Sequence, residues 1–153
     1  MCLVACLGFA RLALAQSITN VSPQEKSVND AIEKGKKTLP VFFARLAKPQ
    51  DGDSQFLVKI RYDTGEGENK GGEHLWAENV VRTGDNVTAT IANVPVKIPN
   101  LTKGQRVTVP VSQLTDWLYV REGKYRGAYT VRALLPFMKK EDAETMKKKL
   151  APE

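Results

Sequence analysis

Residues 72–80 read GEHLWAENV and hold His74, the single histidine of the chain. On a strand, residues two apart share a face, so His74, Trp76 and Glu78 fall together while Glu73, Leu75 and Ala77 face the other way. A carboxylate beside an imidazole fixes its tautomer and raises its pKa, which suits an acid/base site or a pH switch. With Asp116 as a second available carboxylate, the candidate catalytic set is His74, Glu78 and Asp116. A catalytic histidine, however, usually also needs a nucleophile or a metal. Here the only cysteines are Cys2 and Cys6, close to the amino terminus. The stronger reading of the stretch is a His and a Trp whose polar tips are hydrogen-bonded at a sheet edge. Neither a metal site nor a cofactor is expected.

A second concentration of chemistry lies at 114–135, LTDWLYVREGKYRGAYTVRALL. Trp117, Tyr119, Arg121, Tyr125, Arg126, Tyr129 and Arg132 gather aromatic rings and guanidiniums on what should be a hairpin. Together with Trp76, the residues Trp117, Tyr119, Arg121, Tyr129 and Arg132 form a candidate ligand or partner face. Such a face stacks on a sugar ring, a peptide or a partner protein. The competing account is cross-strand packing, with arginine stems covering the rings. Nucleic acid is disfavoured, because 23 basic residues are interspersed with 17 acidic ones and the excess is mild. The glycine-rich segment 63–72, DTGEGENKGG, leads into a strand where a phosphate-binding loop would lead into a helix, and it lacks the order of acids of a calcium loop. It reads as a flexible hairpin connection, whose mobility could let it cover a neighbouring cleft.

These residues must be positioned by a small number of elements. Val28, Ala31, Ile32, Leu39, Phe42, Phe43 and Leu46 recur at three- and four-residue intervals, as in a helix with one buried stripe. Ser27 or Asn29 can cap its start. Pro40 predicts a break near Thr38 and a second short helix to about Ala47. From Gln55 the period becomes two, with Phe56, Val58, Ile60 and Tyr62 on the buried side. Further strands are expected at 73–82, 86–92, 105–111, 116–121 and 125–135, separated by turn signals such as Thr83-Gly84-Asp85 and Glu122-Gly123-Lys124. Connections this short favour antiparallel pairing. A terminal helix from about Met138 to Leu150 has acids early and lysines late. The expected fold is α+β: an amino-terminal helical segment on a curved, mostly antiparallel sheet, possibly a partly closed barrel, with a carboxyl-terminal helix.

A chain of 153 residues with 42% apolar content is the size of one domain. Residues 1–15, MCLVACLGFARLALA, form an acid-free apolar run ending in Ala13-Leu14-Ala15, as a secretory signal does. Residues 16–26 then read as a flexible leader and 27–150 as the domain. A rival reading takes Leu3-Val4-Ala5-Cys6 as a lipoprotein box, which would acylate Cys6 and anchor the chain to a membrane. The Ala-x-Ala position favours soluble export to the periplasm. Cleavage there would remove both cysteines, so the mature chain would rely on its core in place of disulfides.

Three stretches, EHLWAENV at 73–80, the run from LTKGQRV at 101–107 through LTDWLYV at 114–120, and GKYRGAYTVRALL at 123–135, form an ordered pattern. That order, Glu-His-x-Trp, Gly-x-x-Val, Asp-Trp and Gly-x-Tyr-Thr-x-Arg, resembles the YegJ-like bacterial proteins, a domain of unknown function, over roughly 30–135. Ala128 stands where the pattern has a second glycine. The resemblance implies a small bacterial, often exported, domain with no assigned reaction, and it singles out Glu73, His74, Trp76, Asp116, Trp117, Gly127, Thr130 and Arg132. The inventory of residues favours a monomeric, non-enzymatic binding or interaction module of the cell envelope, with a protein, peptide or envelope polymer as partner. A hydrolase built on His74 and a carboxylate, or an immunity-like or envelope structural protein, are the alternatives.

Overall fold

The computed structural model describes residues 23–67 and 70–153. The signal-like segment, with Cys6 and Ala13-Leu14-Ala15, lies outside the described residues. The elements are α1 (Pro23–Ala47), β1 (Asp53–Thr64), β2 (Gly71–Thr83), β3 (Asn86–Ile91), β4 (Arg106–Pro110), β5 (Leu114–Arg121), β6 (Lys124–Gly127), α2 (Tyr129–Leu134) and α3 (Lys140–Lys149).

One helix replaces the expected pair. It begins at Pro23, before Ser27 and Asn29 and within the expected leader, and it runs through Pro40 without ending. Proline inside a helix costs about 3 kcal/mol. Leu39, Phe42 and Phe43, all buried on the same element, each offset that by roughly 1.5–3 kcal/mol. Pro40 itself is on the exposed side. The Thr38 hydroxyl donates to the carbonyl of Lys34 at 2.8 Å, so it stays within the helical ladder.

The six strands form one open antiparallel sheet in the order β4-β3-β2-β1-β5-β6, with β4 and β6 as edges and no closure into a barrel. Strands β1 to β4 follow as a meander, and the chain then crosses back to place β5 on the free side of β1. The two faces carry different layers. Val58, Ile60, Leu75, Ala77, Leu114 and Trp117 pack with Leu39, Phe42 and Phe43 of α1. Leu57, Trp76 and Leu118, on the reverse face, pack with Val131 of α2 and with Met146 and Leu150 at the carboxyl terminus. The face that the alternation from Gln55 left as polar is therefore covered as well.

Three bulges interrupt the ladders. An extra residue in β1 falls between Ser54 and Leu57, where Gln55 has φ 50°, and one in β2 between Glu78 and Val81, where Asn79 has φ 55°. The third is in β5: Lys59 pairs with Asp116 while Ile60 pairs with Leu114, leaving Thr115 over. A bulge re-aims the side chains around it. This one sends both Thr115 and Asp116 toward the Lys59 face.

The expected strand at 125–135 is corrected to a short strand and a helix. Pairing of β6 with β5 stops at Leu118↔Gly127. Gly127 has φ 75°, and a Cβ there would come within 2.5 Å of Trp117. Ala128 then takes the left-handed conformation, φ 54° and ψ 43°, and α2 starts at the next residue. Glycine adopts that conformation without strain, which gives a physical reason for a glycine at this place in the resembled pattern.

Candidate functional site

Because β6 reaches only as far as Leu118, the Leu114–Trp117 part of β5 is open to a helix, and α1 crosses it there. Gly35 makes the crossing close: a Cβ on it would lie 2.6 Å from the carbonyl oxygen of Thr115 and 3.1 Å from the Cα of Asp116. The amino-terminal half of α1, α2 and the Lys59 face of the sheet then enclose a cleft of about 630 Å³. Lys59, His74, Thr115 and Thr130 are in its lining. Asp63, Gly71 and Gly72, from the ends of the glycine-rich hairpin, border it too.

Lys59 is 3% exposed and projects from a central strand. Its Nζ donates to the Thr130 hydroxyl at 2.9 Å and sits 5.0 Å from the centre of the Trp76 ring. Thr130 in turn donates its own hydroxyl hydrogen to Asp116 Oδ2 at 2.6 Å. The hydroxyl thus stands between the buried ammonium and the buried carboxylate. Asp116 also accepts from the backbone N–H of Trp117 (2.8 Å), Tyr129 (3.2 Å) and Thr130 (2.8 Å). Two of those donors open α2, so a strand carboxylate does the work of a helix cap that Ala128 cannot do.

Burial pulls the Lys59 ammonium down from 10.5 to about 8, although Asp116 opposes this. Burial likewise pushes Asp116 above its ordinary value, against Lys59 and the Thr130 and Trp117 hydrogen bonds. His74 is held down to about 4, first by burial and then by the charges of Lys59, Arg61 and Lys36. It is a neutral imidazole at neutral pH. Its Nδ1 lies 3.0 Å from the Thr115 hydroxyl, which is also 3.3 Å from the Lys59 carbonyl oxygen. A carbonyl only accepts, so the single hydroxyl hydrogen goes to it and Nδ1–H must be the donor to Thr115. Nε2 then carries the lone pair and has no hydrogen-bond partner among the described residues.

The site residues expected from sequence separate into groups. His74 does line an open cleft, but its partner is Thr115 and not a carboxylate. Glu78 is exposed beside the β2 bulge and is not part of the cleft lining. Asp116 is 0% exposed and occupied by four donors. Trp76, Trp117 and Tyr119 are all buried. Trp117 stacks with Tyr119, which stacks with Phe56, and its indole N–H donates to Thr38 Oγ1 at 2.9 Å. Trp117, Tyr119 and Phe56 belong to the core between α1 and the sheet, whereas Trp76 lies in the layer on the reverse face. Tyr129 packs edge-on against Trp117. Arg121 donates to Gln50 Oε1, and Arg132 donates to the carbonyls of Gly127 (2.9 Å) and Ala151 (2.8 Å), tying the carboxyl-terminal segment to β6. Glu73, on the opposite face from His74, accepts from the N–H groups of Val96 and Lys97 at 2.7 Å each and clamps that loop.

Sequence reasoning passes over Lys59 and Thr115. Lys59 falls on the polar side of an alternating strand, where a solvent-facing lysine is ordinary. The available signal is that its flanking same-face residue Leu57, together with Trp76 and Leu118, is large and apolar. No group of three or more His, Cys, Asp or Glu among the described residues is arranged to hold a metal ion.

With this geometry in view, comparisons with known proteins give a consistent picture. A family model described as an uncharacterised protein conserved in bacteria, DUF2314, matches residues 25–151. Over 126 residues the chain is 30% identical to the uncharacterised protein YegJ of Escherichia coli strain K12, covering 82% of this chain and 78% of that one. It is 26% identical over 126 residues to a putative ankyrin repeat protein of Neisseria meningitidis serogroup B, covering 80% of this chain and 50% of the relative. No solved structure matches.

Proposed function

The chain belongs to the DUF2314 family of uncharacterised proteins conserved in bacteria, and on that premise we propose that it is a binding module whose ligand site is the cleft over Lys59 and His74. The occupant is a small hydrogen-bonding molecule carrying an anionic oxygen. The observation that supports this reading is the buried Lys59 ammonium in the lining of an open cleft. One of its three hydrogens is taken by Thr130 and, among the described residues, it makes no ion pair. Burying a cation costs several kcal/mol unless something compensates it; Asp116 does so only through the intervening Thr130 hydroxyl, and a bound anion would complete the compensation.

The chemistry of the walls fits such a ligand. Lys59 supplies donors, His74 Nε2 supplies an acceptor, and Lys36 and Arg61 add positive charge. The acids Glu25, Asp30, Glu33 and Asp63 also line the cleft; Glu25 is half-buried, and the side chains of the other three are 69–87% exposed, against 3% for Lys59. The exposed three are partnered: Asp30 with Lys26, Glu33 with Lys36, and Asp63 with Arg61. Those three belong to the mouth, well outside the buried Lys59.

The setting we favour is the cell envelope, on the strength of the apolar start of the chain and its Ala13-Leu14-Ala15 ending. Among the described residues no helix is long and apolar enough to cross a membrane. Acid/base catalysis by His74 is the weaker reading, since among the described residues no carboxylate is hydrogen-bonded to the ring.

A thermal-shift panel of small carboxylates and phosphates tests the assignment. Saturable stabilisation is expected for the wild type and for Arg121→Ala, and its loss for Lys59→Met. An equal response from all three proteins would refute the cleft as the site.

A further inference from the structure

We propose that Lys59 captures its ligand covalently, as a reversible imine with a small anionic aldehyde or 2-oxo acid. The inference rests on the cleft being the ligand site and names the class of ligand it takes.

The geometry sets Lys59 apart from an ordinary surface lysine. Its stem leaves the central strand β1 between Leu57 and the β5 bulge, and its Nζ is held by Thr130 on one side and faces the Trp76 ring on another. Thr130 can only accept from Nζ, because its own hydrogen is given to Asp116. The hydrogen bond therefore positions the nitrogen without competing for a lone pair. Asp116 acts on Nζ through the Thr130 hydroxyl, and among the described residues no carboxylate forms a direct ion pair with it. Burial brings its proton affinity down to about 8. The fraction present as free amine near pH 8 is then roughly a hundredfold that of an unperturbed lysine. Neighbouring Arg61 and Lys36 favour an anionic group on the molecule that enters.

The step is balanced with no redox partner. The Nζ lone pair forms a bond to the carbonyl carbon as the carbonyl π pair moves to oxygen, giving a carbinolamine. The carbon–oxygen bond then breaks as the nitrogen lone pair forms the C=N bond, and the oxygen leaves as water with the two protons given up by the amine nitrogen. Hydrolysis reverses the sequence and releases the ligand.

The test uses the unmodified protein with glyoxylate and cyanoborohydride near pH 8, followed by peptide mapping of every lysine. Oxalate, an anion of similar size without an aldehyde, serves as competitor, and its own binding is followed by thermal shift. We expect one reduced adduct, at Lys59, formed about tenfold or more faster than at any other lysine and slowed by oxalate. Lys59→Arg should still bind oxalate and form no such adduct. Binding of oxalate with no preferential adduct at Lys59 would overturn the covalent inference and leave the cleft reading standing. Absence of both would overturn the two together.

Discussion

The carboxylate of Asp116 lies 2.6 Å from the hydroxyl of Thr130, fourteen residues further along the chain. This contact joins the bulged end of β5 to the first turn of α2, and it holds the hydroxyl that receives Lys59. Removing the carboxylate therefore affects fold and site together. Asp116→Ala strands the N–H groups of Trp117, Tyr129 and Thr130 and leaves a buried ammonium without a neighbouring counter-charge. A loss of about 3–5 kcal/mol in urea denaturation is expected. Asp116→Asn keeps one oxygen acceptor and should lose less.

Gly35 tests the crossing of α1 over β5. In an unconstrained helix, glycine to alanine gains about 1 kcal/mol. Here the new methyl meets backbone at 2.6 Å, which cannot swing aside. The clash should win, with Gly35→Ala less stable by about 1–3 kcal/mol and weaker in ligand binding, because α1 forms one wall of the cleft. A stabilised variant would contradict this crossing.

His74 gives a pH dependence with a definite sign. The folded chain holds the ring down at about 4 and the unfolded value is 6.5, so between these the unfolded state binds more protons. The contribution is full above pH 6.5 and is lost as pH falls to 4, amounting to at most about 3 kcal/mol. His74→Gln retains a donor for Thr115 and should flatten that part of the profile. The difference between the two proteins is the measure, since Asp116, raised by burial, contributes a slope of the opposite sign.

Arg132 is assigned to holding the carboxyl terminus. Its guanidinium donates to the carbonyls of Gly127 and Ala151, and Glu153 is 3.9 Å away. Arg132→Ala should cost about 1–3 kcal/mol and raise amide hydrogen exchange at Leu150 and Ala151, which pair with Tyr125. Ligand affinity should change little.

Periodicity made most of the fold legible. Strands β1 to β4, the antiparallel pairing and the helices at both ends follow from alternation, turn residues and charge placement. Two elements were not legible, for local reasons. Pro40 signals a break that the burial of Leu39, Phe42 and Phe43 overrides. The segment after Gly127 looks like a strand because Tyr129, Val131 and Ala133 alternate with Thr130 and Arg132, yet Gly127 and Ala128 turn the chain with positive φ and Asp116 caps the helix that follows. That cap is a contact between distant residues, invisible to any local pattern. Of the site, His74 and Thr130 could be singled out by type and motif. Lys59 and Thr115 could not, because one depends on a second layer covering the reverse face of the sheet and the other on a single-residue bulge.

The most direct measurement of the central claim is a ¹⁵N and side-chain NMR titration of the wild-type protein with glyoxylate and with oxalate. Saturable shifts confined to Lys59, His74, Thr115, Thr130 and the facing turns of α1 are predicted, and they should vanish in Lys59→Met. Shifts confined to Arg121 and other surface residues, with the His74 ring signals unmoved, would contradict it.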